Sequence, residues 1–516
     1  MLFSSWQFIF VFLPVALGVF LVLPGQWRVA KKLWLTVASL FFYAYWKVEY
    51  VPLLLFSIGF NYTMAELLLR YRDRPSGKWV LTAGVGVNLL LLGYYKYTNF
   101  VLSALGMVVR KDLGRYDIIL PLAISFFTFT QIAYLVDVYR DHTRHYKFID
   151  YFLFVVFFPH LIAGPIVRHW EIIPQYVERD LRPSRTDLGM GVLLFLLGLY
   201  KKLLLADPVS EYAIAVYGTA GHGVMVSWFD SWLGTLAFAM QIYFDFSGYS
   251  DMAIGLARMF GMKFPCNFDS PYRAGSIIDF WRRWHMTLTR FFREYVYIML
   301  GGNRCSQWRQ AYNIMVTMLL SGLWHGAGWN FVIWGGLHGL FLLVNHQWRN
   351  LKKARGWRLE HWSYRGACVA FTFLLVLVTW VFFRAPDLPT AGRLLGSMAG
   401  ANGFTAQKEF QGSSREAEKI MAWLGAKAVD NTVPLTSADY RTALKILVAL
   451  LFIAWCLPNT QQLLSAYEPT LEAVARPPPF RLRLNAWTGF ACGVAFLFVI
   501  RGYFTLPQSP FLYFNF

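Results

Sequence analysis

The chain has 516 residues, of which 57% are hydrophobic, 18% aromatic and only 15% charged. A soluble domain carries about 25% charged residues, so a soluble globular fold is excluded. The formal charge of +19 reads as loop cations that orient membrane spans, not as a nucleic-acid footprint, and nucleic acid is not expected as a partner.

A helix needs about 20 apolar residues to cross a bilayer. Such blocks fall at about 5–23, 33–47, 49–69, 79–97, 117–138, 148–167, 189–205, 228–246, 311–323, 327–346, 365–383, 443–457 and 485–503. The fold class is therefore all-α, a polytopic membrane protein of about 11 to 13 spans. Alternating ten-residue strands, the sign of a β-barrel, are absent. The first block lacks a basic region before it and a small-residue cleavage site after it, so it reads as a retained span. Arg28, Lys31 and Lys32 follow it; Arg70, Arg72, Arg74 and Lys78 follow the next pair; Arg140, Arg144 and Lys147 follow a later one. By the positive-inside rule these three clusters face the cytoplasm, and the N-terminus faces the other way. The chain reads as one domain, 1–516, with a core at 79–386 and a polar insert at 387–440, a loop with a short helix. "RPPPFRLRL", from Arg476, is a stiff basic connector before the last span. The five cysteines show no CxxC and no metal-ligand spacing, which argues against a disulfide framework or a metal site.

Four stretches carry chemistry. In "FFPHLIAGPIVR" (157–168), Gly164-Pro165 breaks a span just after His160, and His160 is a ligand or a packing group. "YFDFSGYSDMAIGLARMFG" starts at Tyr243 and holds Asp245, Ser247 and Asp251, with Gly248 marking a helix break. An acid near membrane depth is a functional candidate by default; the alternative is a pair of capping aspartates at the surface. "DFWRRWHMTLTRFFREYVYIMLGGNR" (279–304), as one helix, places Asp279 and Arg283 at i,i+4, where they can pair. It also puts Trp281, His285 and Thr289 on one face, with Arg282 and Trp284 alongside. Its tryptophans and arginines also suit an interfacial helix.

The fourth stretch is "SGLWHGAGWN" (321–330), inside an apolar run from Ala311 to Val344 that is too long for one span. Gly322, Gly326 and Gly328 predict two helices joined by a break. Non-helical backbone at membrane depth survives only inside protein or beside a watery cavity, so His325 would line one, with Trp324 as its wall and Asn330 just beyond. His338, in "WGGLHGLFL", leans to packing. A neutral imidazole can take a proton from a hydroxyl or carry an acyl group. Serine-triad, phosphate-loop and HExxH patterns are absent. Acyl transfer therefore fits better than hydrolysis, while a transporter using His325 as a proton relay remains the alternative.

These stretches, with "LPLAISFFTFTQIAYLVDVYR" and the ending "PFLYFNF", resemble the membrane-bound O-acyltransferase superfamily. The similarity is closest to the membrane subunit of bacterial alginate O-acetylation and its polysaccharide-acetylating relatives. It implies a ring of tilted and broken helices around a central chamber in the bacterial inner membrane. His325 would be the central catalytic residue and His285 its partner. Trp324, Tyr243, Asp245, Ser247, Asp251, Asp279, Arg282, Arg283, Trp284, His160 and Asn330 would line the chamber or touch substrate. The donor would be cytoplasmic acetyl-CoA, with no tightly bound cofactor and no metal. The acceptor would be an exported polysaccharide, alginate first and peptidoglycan or cellulose as alternatives. It would be reached directly or through a periplasmic partner of the SGNH type. Where the alginate branch carries an acidic residue after the I-S-F segment, this chain has Gln131.

Overall fold

The computed structural model describes residues 1–140, 145–162, 164–178, 181–357, 361–430, 432–474, 477–505, 509 and 511–512. Arg144, Arg476 and most of the PFLYFNF ending lie outside the described residues. Helices carry the chain, as apolar segments in lipid require, because a helix satisfies its own backbone hydrogen bonds. The β structure among the described residues is a three-residue parallel pair, Thr405–Gln407 with Lys427–Val429. Helices Val48–Tyr71, Pro75–Val109, Arg185–Gly221, Trp362–Arg384 and Ala486–Thr505 are long and apolar enough to cross a bilayer, and Phe8–Val22 and Ile124–Tyr139 are shorter apolar helices.

Several boundaries differ from expectation. The spans expected at 79–97 and 189–205 continue as helices of 35 and 37 residues. Each runs through a π-helical stretch, Gly93–Tyr97 and Lys201–Ala206, which absorbs an extra residue without ending the helix. The span expected at 148–167 is interrupted: Phe148–Val156 is followed by Phe158–Leu161 and then by non-helical chain. The break expected at Gly248 does not occur, since Trp228–Met259 is one helix of 32 residues. A single glycine costs a helix about 1 kcal/mol, and the burial of every residue from Phe238 to Phe260 outweighs that.

The stretch 279–304 is not one helix. It divides into Ile277–Trp281, Met286–Phe292 and a π turn Arg293–Tyr297. The insert at 387–440 is more ordered than a loop, with helices Leu388–Met398 and Arg415–Leu424 beside the strand pair. Buried Asp230 anchors it, accepting from Tyr440 Oη at 2.6 Å and Gln407 Nε2 at 2.6 Å.

The chain forms two compact units: Met1–Leu199 with Tyr249–Asn267 and Thr460–Val494, and Tyr200–Gly248 with Phe268–Asn459 and Ala495–Phe516. In the first, Phe3, Phe8, Phe42 and Phe158 interlock as an aromatic core. Polar pairs tie its helices: Lys32 to Asp150 at 2.5 Å, and Asn61 to Asn88 by reciprocal amide bonds of 2.7 and 3.1 Å. Gln131 belongs to the same set. It donates to Ser57 Oγ at 2.8 Å and accepts from Tyr151 Oη at 3.1 Å, a buried position where hydrogen bonding, not charge, is satisfied. In the second unit the dominant feature is the antiparallel hairpin of helices Gln307–His325 and Trp329–Ala354.

Candidate active site

The hairpin exists because its helices can nearly touch. A Cβ at Gly322 would stand 2.1 Å from the Phe331 carbonyl oxygen, and one at Gly335 would stand 2.3 Å from the Met318 carbonyl oxygen. Gly322 therefore lies within the helix as a packing residue, and the turn itself is Gly326 to Gly328. His325 is the last residue of its helix and is 2% exposed. Its imidazole meets Trp324 at 5.0 Å, Trp334 at 5.0 Å and Phe383 at 5.2 Å, all edge to face.

His285 arrives from the other direction. It is the residue before helix Met286–Phe292 and has a left-handed backbone, φ 42° and ψ 53°. For a non-glycine residue that conformation costs about 1–2 kcal/mol and tends to persist at functional sites. It breaks the helix expected through Trp281 and Thr289 and turns the His285 ring away from that face. The ring is fully buried, edge-on to Phe246 at 4.7 Å and to Trp324 at 5.9 Å. Both histidines thus pack on one indole, Trp324, in an aromatic box with Phe246, Trp334 and Phe383.

The other candidate residues of this unit have placed roles. Asp279 accepts from Arg283 Nε at 2.9 Å, the expected i,i+4 pair, and Arg283 also reaches Asp269. Trp284 is buried against Phe268, Phe280 and Trp380. Tyr243 packs on Tyr272 at 5.3 Å. Ser247 is buried one residue from Phe246. Asn330 donates to the Ala385 carbonyl at 2.7 Å, fixing the start of the second hairpin helix. Asp245 pairs with Lys202 at 3.0 Å. His338 accepts from Trp281 Nε1 at 3.3 Å and stacks on Phe280, a packing role. His160 and Asp251 belong to the first unit. His160 Nε2 bonds the Phe154 carbonyl at 2.8 Å among Phe154, Phe157 and Phe264, and Asp251 accepts from Gln461 at 2.9 Å.

A cavity of about 360 Å³ runs along the hairpin. Its lining includes Arg293, Ser321, His346 and Arg349, together with Trp281 and its neighbour Arg282. Ser321 lies one helical turn before His325 on the same face, and Trp281 touches Trp334 at 5.7 Å. The lining spans roughly 20 Å of helix at 1.5 Å per residue. Arg293, Arg349 and His346 were not singled out from the sequence, because their convergence depends on the His285 break and the hairpin register. Lys202 was missed as well, although Lys201 and Lys202, two cations inside an otherwise apolar run, are a signal that could have found it.

A family model described as the membrane-bound O-acyltransferase family matches residues 19–384. The peptidoglycan O-acetyltransferase of Helicobacter pylori is 36% identical over 544 aligned positions, covering 100% of this chain and 98% of that protein. A probable alginate O-acetylase of Pseudomonas aeruginosa is 39% identical over 405, covering 77% of this chain and 75% of its own. A teichoic acid D-alanyltransferase of Streptococcus thermophilus is 25% identical over 340, covering 61% and 72%. The chain belongs to the membrane-bound O-acyltransferase family and is a multi-pass membrane acyltransferase of the polysaccharide O-acetylating kind.

Proposed function

We propose that the protein sits in the bacterial inner membrane and moves an acetyl group from cytoplasmic acetyl-CoA to a hydroxyl of an exported polysaccharide. The observation that carries this reading is a cavity lined by three arginines that reaches to within one helical turn of His325. The open ends of the hairpin are basic as well, with Arg304 just before one helix and Arg309 in its first turn, and Lys352 and Lys353 in the last turn of the other, the charge distribution of a cytoplasmic face. Arg282, Arg293 and Arg349 would take the donor's phosphates, which guanidinium groups bind well. The acetyl thioester would then reach toward Ser321 and His325.

In the chemistry, His325 takes the proton of the acceptor hydroxyl as the oxygen attacks the acetyl carbonyl. The C–O bond forms, the C–S bond breaks, and the proton passes to the departing CoA thiolate. His285, held on the same indole, orients that exchange. The aromatic box excludes water, which would otherwise hydrolyse the thioester. The acceptor is reached directly or through a periplasmic partner of the SGNH type.

Alginate is the first acceptor expected. Peptidoglycan is a second, favoured by the relative whose similarity runs through the whole chain, including 385–516. A deletion strain complemented with the wild type or with His325→Ala, followed by acetyl ester quantification in purified alginate and in peptidoglycan, separates them. The wild type restores esters in one polymer and His325→Ala in neither. Restoration by His325→Ala at equal protein level would sink the reading.

A further inference from the structure

Three buried charges of the second unit that this chemistry does not use converge near Ser509 and Leu512. Lys202 lies in the apolar run Tyr200–Ala206 and is 4% exposed. Its Nζ sits 2.8 Å from Asp207 Oδ1 and 3.0 Å from Asp245 Oδ1. It also donates to the Ser509 carbonyl at 2.9 Å and to Ser509 Oγ at 3.0 Å. Ser509 Oγ donates to Asp207 Oδ1 at 2.6 Å, and the Leu512 backbone N–H donates to Asp245 Oδ2 at 3.0 Å. One ammonium and two carboxylates thus hold Ser509 and Leu512. Between those two residues Phe511 is 1% exposed and packs on Phe246 at 6.0 Å. Phe246 follows Asp245 in the sequence and meets the His285 ring edge-on at 4.7 Å.

Charges buried at membrane depth are costly and tend to be functional. An apolar set of similar volume would hold the same elements together as well or better. Directional bonds, unlike apolar contact, select one register for the chain end. We propose that Lys202, Asp207 and Asp245 are positioning residues. They lock Ser509 and Leu512 in place so that Phe511 backs Phe246, and Phe246 in turn fixes the plane of the His285 imidazole. The inference rests on the acetyl-transfer reading of His285 and His325.

Two readouts on the full-length protein in lipid nanodiscs test it. The first needs no activity: carboxypeptidase digestion followed by intact mass. The wild type resists trimming past Leu512, while Lys202→Met is trimmed past Ser509. Ser509→Ala, which removes two bonds and leaves the three charges together, serves where Lys202→Met does not fold. The second is kinetic. Phe511→Ala lowers kcat about tenfold or more with the KM for acetyl-CoA within about twofold, and Phe511→Leu restores most of it. Equal trimming of wild type and Ser509→Ala overturns the latch. An unchanged kcat in a folded Phe511→Ala overturns the positioning of His285. If the wild type does not turn over acetyl-CoA, the acetyl-transfer reading falls, while the trimming result still decides the latch.

Discussion

Adding one methyl group at Gly335 tests whether the hairpin places His325. In Gly335→Ala the new carbon would stand 2.3 Å from the Met318 carbonyl oxygen and 3.1 Å from its carbon. That is roughly 1 Å inside van der Waals contact, and backbone cannot rotate away as a side chain can. The two helices must separate by about that distance. Overpacking of this kind costs about 1–3 kcal/mol, at the upper end where backbone is the obstacle. The displaced segment lies beside Gly322, three residues before His325. A shift of about 1 Å in a reacting group lowers the rate about 100-fold. Gly336→Ala, on the next residue, is the control. Its nearest neighbour would be the Leu319 side chain at 3.7 Å, and alanine favours a helix over glycine by about 1 kcal/mol. Thermal melting in detergent and acetyl transfer are measured for both variants. Gly335→Ala melts lower and loses activity, while Gly336→Ala does neither. Equal melting points and equal activity would refute the idea that close helix contact sets the His325 position.

Other outcomes follow from particular contacts. Arg282 and Arg349 line the cavity; Arg282→Gln and Arg349→Gln each raise the KM for acetyl-CoA with kcat nearly unchanged, and an unchanged KM in both removes donor binding from that cavity. Lys32→Met leaves Asp150 buried without its ammonium and costs about 3–5 kcal/mol. Thermal melting shows this, and the double change Lys32→Met with Asp150→Leu recovers most of it. His338→Gln keeps an acceptor for Trp281 and retains acetyl transfer within a few-fold. Loss of turnover in folded His338→Gln would give that histidine a chemical role.

The corner at His325 was legible in the sequence because Gly326 and Gly328 fall near the middle of an apolar run too long for one span, although Gly322, read with them, packs inside the helix. The Asp279–Arg283 pair was legible because i,i+4 spacing survives in the short helix and turn that form there. The break at His285 was not. "WRRWHM" carries no glycine or proline, and tertiary burial of Phe246, Phe268 and Trp324 around the ring stabilises a left-handed histidine that local propensity disfavours. Gly248 misled in the opposite sense: glycine marks a break only where packing does not hold the helix on both sides. Asp245 and Asp251 are six residues apart and looked like a pair. Yet one is paired with Lys202 and the other accepts from Gln461, partners no periodicity connects to them. The chain end at Ser509 reaches Lys202 across 307 positions, a contact only the fold reveals.

We propose that His325 moves a proton during acetyl transfer from CoA to a sugar hydroxyl. The most direct test is release of CoA thiol by purified protein in nanodiscs, given acetyl-CoA and a de-acetylated polysaccharide acceptor. The wild type releases thiol in step with acetyl ester formed, and His325→Ala, folded and in equal amount, releases none above background. Thiol release at the wild-type rate by His325→Ala, or none by the wild type while it carries protons across the bilayer, would contradict the account.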